Sequence, residues 1–221
     1  MNHAIQFGMP LLLWLATTTP AFAQSARQIV DTAGVRGGLL VHVGCGDGRL
    51  TAELQTASGG LVHGLDADPQ LVADARHLLR SRGLYGQATV DQFNGRTLPY
   101  INHLVNVLVD SSEAGGVTSE EYRRVLAPRG VVVVRRSSLA GRRFDPDRWQ
   151  PLTVAGRSAA PADQSSENDW VAFRKPWPDE LDQWTHWLHG PDNNAVSRDG
   201  KVGISRHLQW IMPPRWSRHH N

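Results

Sequence analysis

From Ser25 to about Ser137 short apolar runs alternate with amphipathic segments, the pattern that successive βα units produce around a parallel sheet. The runs at 39–43, 61–65, 87–91, 104–109 and 131–134 are rich in Val and Leu and nearly continuous, as strands covered on both faces should be. Between them, 69–82 carries Leu71, Val72, Ala75, Leu78 and Leu79 at spacings of three and four, with Asp68 as cap, Pro69 at the first position and Gly83 as the stop. The spacing also predicts a helix over 118–126, capped by Thr118 or Ser119, with acids in its first turn and an end before Pro128. A helix over 25–33 leads into the first strand, and 50–55 is helix-compatible. The runs 151–154 and 169–173 are expected to close the sheet as an antiparallel pair. The implied fold is α/β, a doubly wound and mostly parallel sheet.

Two flanking segments fall outside this pattern. At the N-terminus, the apolar run 9–16 is followed by Ala21-Phe22-Ala23, which reads as a secretory signal peptide cleaved after Ala23. The run is shorter than the roughly 20 apolar residues needed to cross a bilayer. Export to the periplasm or the outside is therefore expected, with no stable membrane span after cleavage. A buried N-terminal helix is the alternative, and an uncleaved N-terminus would mean a cytoplasmic protein. At the other end, seven of the 8 Trp lie at or beyond Trp149. The expected organisation is a leader over 1–23, a domain over 24–174, and a linker with the start of a further structure over 175–221.

Composition narrows the function classes. Lys and Arg number 23 against 21 Asp and Glu, and 141–221 alone holds 11 basic and 10 acidic residues by direct count. The charge is not clustered, so nucleic-acid binding is not indicated. The single cysteine, Cys45, excludes an internal disulfide framework and a multi-cysteine metal site.

The strongest local signal is the strand 39–43 running into Gly44-Cys45-Gly46-Asp47-Gly48. Glycines allow unusual dihedrals and remove the Cβ atoms that would hold a ligand away, while the following helix offers unpaired N–H groups. A dinucleotide fingerprint needs G-x-G-x-x-G, and here the third glycine comes one residue early. The second strand ends in Gly64-Leu65-Asp66-Ala67-Asp68, placing Asp66 18 positions after Gly48, where an acid can accept from ribose hydroxyls.

The G-x-G-x-G turn resembles motif I of the class I S-adenosylmethionine-dependent methyltransferases. Residues 94–100 (NGRTLPY) resemble that family's adenine-contacting stretch, and 121–134 (EYRRVLAPRGVVVV) resembles its helix, turn and fifth strand. The resemblance implies a Rossmann-like fold and S-adenosylmethionine as cofactor, held by Gly44, Cys45, Gly46, Gly48, Asp66, Ala67, Asn94 and Asp110. Two positions depart from the family: His42 stands where an acid usually precedes the glycines, and Asn94 where an Asp is frequent. The carbonyl of Asn94 can still accept from an adenine amino group, or Asn94 is a loop residue without a ligand. Asp110-Ser111-Ser112-Glu113 lacks the signature of amino-methylating enzymes. Asp110, Glu113 and His103 are candidate bases for an acceptor proton, each weighed against a solvated surface role. Cys45 reads as a small residue packed in the turn rather than as a nucleophile, and no catalytic residue is assigned.

In the tail, Trp177, Leu181, Trp184 and Leu188 share one helical face, with Pro178 suited to the first turn and Gly190 to the stop, so a short amphipathic helix is expected. The phrases DELDQWTHWLHGPDNNAVS and RHLQWIMPPRWSRHH resemble the junction in secreted proteins where a methyltransferase-like domain precedes a PQQ-binding-like β-propeller. That resemblance implies a truncated product or fragment whose partner surface is the missing propeller. His207, His219 and His220 are read as exposed or packing imidazoles rather than a metal site. Two functions follow: a methyltransferase with an unknown acceptor, or a non-catalytic methyltransferase-shaped module of an exported propeller protein.

Overall fold

The computed structural model describes residues 21–35, 37–112, 116–139, 142–153 and 170–200. The elements run α1 (Ala21–Ala33), β1 (Leu39–Val43), α2 (Arg49–Ser58), β2 (Leu61–Asp66), α3 (Pro69–Ser81), β3 (Ala88–Gln92), β4 (Val105–Asp110), α4 (Ser119–Val125), β5 (Leu126–Arg135), β6 (Gln150–Leu152) and β7 (Trp170–Arg174). One seven-stranded sheet has the order β3-β2-β1-β4-β5-β7-β6. β1 to β5 are parallel, whereas β7 runs antiparallel to β5 and β6 antiparallel to β7. The expected strands, the four helices of this domain and the closing hairpin are all present, with ends shifted by a few residues.

The alternation of side chains along each strand builds two cores. On one face Leu40, Val62, Val107, Val109, Val131 and Val133 pack with Ile29 and Val30 of α1, Leu54 of α2 and Leu79 of α3. On the other face Val41, Val43, Leu65, Leu108, Val132 and Val134 meet Tyr122 and Val125 of α4 and Trp149. A strand buried on both sides has no polar phase, which is why the runs read as continuous.

Local chemistry sets the ends of the helices. Asp68 caps α3 by accepting from the Gln70 amide at 2.8 Å, with Pro69 in the first turn. Thr118 caps α4 by accepting from the Glu121 amide at 3.2 Å. Glu121 and Arg124 of α4 then pin the loop between β3 and β4. Glu121 accepts from the Leu98 amide at 2.8 Å, and Arg124 donates to the carbonyls of Tyr100 at 2.7 Å and Leu98 at 3.0 Å. Arg124 in turn holds the Glu121 carboxyl below its usual range.

Residues up to Pro176 cluster as one compact unit and those from Trp177 as another. The described part of the second unit corrects the expected tail helix, because 177–200 forms turns. In a helix the Glu180 carbonyl would accept from residue 184; here it accepts from Gly200 at 2.8 Å. Asp182 likewise accepts from the Arg198 amide at 2.7 Å and pairs with His189, while its own amide donates to Asp199. These long-range bonds displace the i→i+4 ladder. Trp187 is left 93% exposed. No helix among the described residues is long and apolar enough to cross a membrane. Of the expected leader over 1–23, residues 1–20 lie outside the described residues, as do the histidines at 207, 219 and 220, whereas Ala21, Phe22 and Ala23 form the start of α1.

Candidate functional site

β1 delivers the chain to the C-terminal edge of the sheet, where the Gly44 and Cys45 amides donate to the Leu65 carbonyl at 2.8 and 3.2 Å. The turn then bends back through positive φ at Gly44 (68°), Gly46 (54°) and Gly48 (81°). These three glycines do different work. A Cβ on Gly48 would stand 2.8 Å from the Ala75 Cβ, so this glycine lets α2 pack on α3. A Cβ on Gly44 would stand 2.8 Å from the Ser112 amide nitrogen, so it lets the loop after β4 approach. A Cβ on Gly46 would meet nothing within 4 Å. The backbone there is bare on an open side, as a ligand cradle requires.

Asp66 ends β2 beside this turn, half-buried. One carboxylate oxygen accepts from the Gly46 amide at 2.9 Å and the other from the Asp68 amide at 3.1 Å. Each oxygen keeps a second lone pair, so the carboxylate can hold the turn and still accept from a ribose. Ala67 follows on the exposed rim, where its carbonyl accepts from Gln92 Nε2 at 3.1 Å. Cys45 is buried under the turn, and burial, with the Asp66 charge next in weight, pushes its thiol up to about 12. It is protonated and inert, as expected of a packing residue.

His42 is buried on the α2 side of β1. Its Nδ1 lies 2.8 Å from Thr51 Oγ1 at the start of α2, and its Nε2 lies 2.7 Å from Ser111 Oγ just after β4. Burial, assisted by the Arg135 charge, lowers its pKa to about 3. A neutral imidazole thus ties the helix start to the loop on the far side of the turn.

Three expected residues are placed differently. Asp110 is fully buried: it pairs with Arg142 at 2.9 Å, accepts from the Tyr122 hydroxyl, and accepts from the Ser112 amide at 2.7 Å. Its carboxylate is engaged by these partners and organises the loop after β4. The Asn94 carbonyl oxygen accepts from the Arg96 amide at 2.9 Å and the Thr97 amide at 2.8 Å. Both lone pairs are thus engaged by its own turn, as in the alternative of a loop residue. His103 precedes β4, at the sheet edge opposite the glycine turn, and contacts Lys175 Nζ at 2.8 Å. It is therefore not the base for chemistry at the turn. Glu113 lies outside the described residues.

Thr51, Ser111, Tyr122 and Arg142 were not legible as site residues. Arg142 lies 32 positions from Asp110 in an irregular segment, and no local pattern points from one to the other. Among the described residues no group of His, Cys, Asp and Glu is arranged to hold a metal ion.

A parallel sheet with this strand order, a glycine turn after its first strand and an acid ending its second defines a Rossmann-like domain of the class I methyltransferase fold. Residues 40–130 match the family model described as a methyltransferase domain. No curated protein matches the chain. Among solved structures, a Methanococcus maripaludis protein provisionally assigned as an S-adenosyl-L-methionine-dependent methyltransferase aligns at 19% identity over 52% of this chain and 55% of its own, with a TM-score of 0.47. The [4+2]-cyclase SpnF aligns at 24% identity over 51% of this chain and 43% of its own, with a TM-score of 0.45. Geranyl diphosphate C-methyltransferase from Streptomyces coelicolor aligns at 18% identity over 51% and 44%, also with a TM-score of 0.45. The chain thus spans about half the length of these structures.

Proposed function

We propose that this chain binds S-adenosylmethionine across the turn 44–48 and is a methyltransferase whose acceptor class is open. The observation that carries the reading is the pairing of Gly46 with Asp66: a bare stretch of backbone, open where a side chain would stand, lies beside a half-buried carboxylate with acceptor capacity to spare. A nucleoside has complementary parts, namely ribose hydroxyls that donate and a flat body that needs close approach. Asp66 would hold the ribose, and 44–46 would underlie the rest of the molecule. When bound, the cofactor would supply an electrophilic methyl group, and the chain would contribute chiefly alignment of donor and acceptor.

A second reading, a non-catalytic module, is favoured by one specific observation. Of the candidate bases among the described residues, neither Asp110 nor His103 stands ready to take a proton at the turn; Glu113 lies outside them. Methyl transfer to an acceptor that is already a nucleophile needs no such base, so the two readings diverge on the acceptor. Export, with a leader over 1–23, and packing of the Trp-rich tail on a propeller belong to this reading of the whole protein, and the sequence of both ends supports them.

Calorimetric titration of the full chain with S-adenosylmethionine and S-adenosylhomocysteine tests the reading. Saturable binding to both, lost on closing Gly46 with a side chain, supports it. Absence of binding to either removes it.

A further inference from the structure

Lys175 follows β7 and is buried, 3% exposed. An ammonium has three protons to donate and no lone pair. Three acceptors meet this one: His103 Nδ1 at 2.8 Å, the Arg123 carbonyl at 2.7 Å and the Leu126 carbonyl at 2.6 Å. The two carbonyls belong to the last turn of α4 and its C-cap, where a helix has no amides left to fill them and a cation is favoured. The Lys175 backbone is fixed against β5, accepting from the Arg129 amide at 3.0 Å and donating to the Gly130 carbonyl at 2.9 Å.

The third acceptor is open to solvent. His103 stands just before β4 in a left-handed backbone (φ 62°), its amide donating to the Arg124 carbonyl at 2.9 Å. Nδ1 accepts from an ammonium only while it keeps its lone pair, so the ring is neutral with its proton on Nε2. The charges that face it, Lys175 and Arg123, are both cations, and Arg124 beside it is paired with Glu121 at 2.7 Å. Burial of the inner edge of the ring, and after it the Lys175 charge, lower the imidazole's pKa. A proton on Nδ1 removes the acceptor and sets two cations in contact. It also points at the Leu126 carbonyl 3.4 Å away, which already accepts from Lys175.

We propose that Lys175 and His103 form a proton-sensitive latch: neutral His103 fastens the end of β7 to the end of α4, and its protonation frees the end of α4 together with the loop before β4. The loop follows because α4 holds it, through Glu121 on the Leu98 amide and Arg124 on the Tyr100 carbonyl. The unfolded chain takes the proton at about 6.5, whereas the folded chain resists it. The contribution of the latch is therefore present above that value and is lost as pH falls through it. The left-handed backbone at His103 adds strain that opening relieves. The latch lies at the sheet edge opposite the glycine turn and is independent of what the turn binds.

Amide hydrogen exchange of the full chain at about pH 7.5 and about pH 5.5, corrected for the intrinsic effect of pH on exchange, reads the latch directly. Protection of the His103 amide, which donates to Arg124, and of the Arg129 amide, which donates to Lys175, should fall by about tenfold or more at the lower pH. The Val62 amide, which donates to Gln87 on the other side of the sheet, should keep its protection. His103→Gln retains an oxygen that accepts from Lys175 and has no proton to gain, so its protection should be equal at the two pH values. An equal loss in His103→Gln, or no loss in the wild type, overturns the proposal. A second measurement follows the His103 ring by NMR, whose titration should move to higher pH in Lys175→Met, and an unmoved titration in the folded variant also overturns it. Should Lys175→Met fail to fold, the glutamine comparison decides alone.

Discussion

Arg142 and Asp110 form an ion pair of 2.9 Å from which water is excluded on both sides. Asp110 belongs to the central strand β4 and Arg142 to the segment after β5, so the pair fastens that segment to the strand end that flanks the glycine turn. The guanidinium also lies over the Tyr122 ring and donates to Ser138 Oγ at 3.0 Å. Removing one partner of a buried pair leaves the other charge uncompensated, at a cost of about 3–5 kcal/mol. Arg142→Met should therefore lower the urea midpoint sharply, and adding Asp110→Asn should recover part of the loss. A fall of less than about 1 kcal/mol in the single variant would place the pair in solvent contact.

The glycines of the turn separate folding from binding. Gly48→Ala combines left-handed strain with contact between its Cβ and Ala75, so a loss of about 2–4 kcal/mol in stability is expected. Gly46→Ala meets open space and should cost only the backbone strain, about 1–2 kcal/mol, while blocking the ligand. Melting curves and nucleoside titration of both variants read the two effects independently.

Asp66→Ala should weaken nucleoside binding by roughly 1.5–3 kcal/mol, the value of a hydrogen bond to a charged group. Because Asp66 also accepts from Gly46 and Asp68, the turn loosens as well, and a modest drop in melting temperature should accompany the loss. Asp66→Asn keeps one acceptor and should fall between. Unchanged affinity in the alanine variant takes Asp66 out of the site.

His42 should make the protein acid-sensitive. The unfolded chain binds a proton here near pH 6.5, whereas the folded chain holds off until about 3. Between those values the unfolded state carries more protons, so stability falls as pH drops through the window, by up to about 1.4 kcal/mol per pH unit. Carboxylates contribute to the slope at its lower end in any variant, so the comparison is with His42→Gln. Urea melts across the window should show a shallower slope in the variant, and parallel slopes would mean that His42 is protonated in the folded state.

Truncation after Pro176 should leave a cooperative melt and unchanged nucleoside affinity, since the turn, Asp66 and the buried Lys175 all precede the cut. Removal of the exposed Trp184 and Trp187 should also raise solubility. A broad or absent melting transition would show that the first unit needs the second.

The sheet was legible because a parallel strand covered on both faces has one readable signature, a continuous apolar run. Five runs were placed this way, as were the caps Asp68 and Thr118, whose chemistry lies within three residues of the helix they start. The turn and Asp66 were legible for the same reason, since a strand end and the residues after it are neighbours in sequence. The tail helix was misjudged because periodicity at Trp177, Leu181, Trp184 and Leu188 does not register a competing bond from Gly200 to Glu180.

The sequence by itself determined the order of elements, the glycine turn and the acid beside it, because each depends on the chain's own neighbours. Only the tertiary structure decided the state of the polar groups. Asp110, Asn94 and His103 are plausible ligands or bases in a linear reading, yet one is sealed by an arginine 32 residues away, one is spent on its own turn, and one stands at the opposite edge of the sheet. Charge, burial and direction are properties of the surroundings, and those surroundings are assembled from residues far apart in the chain.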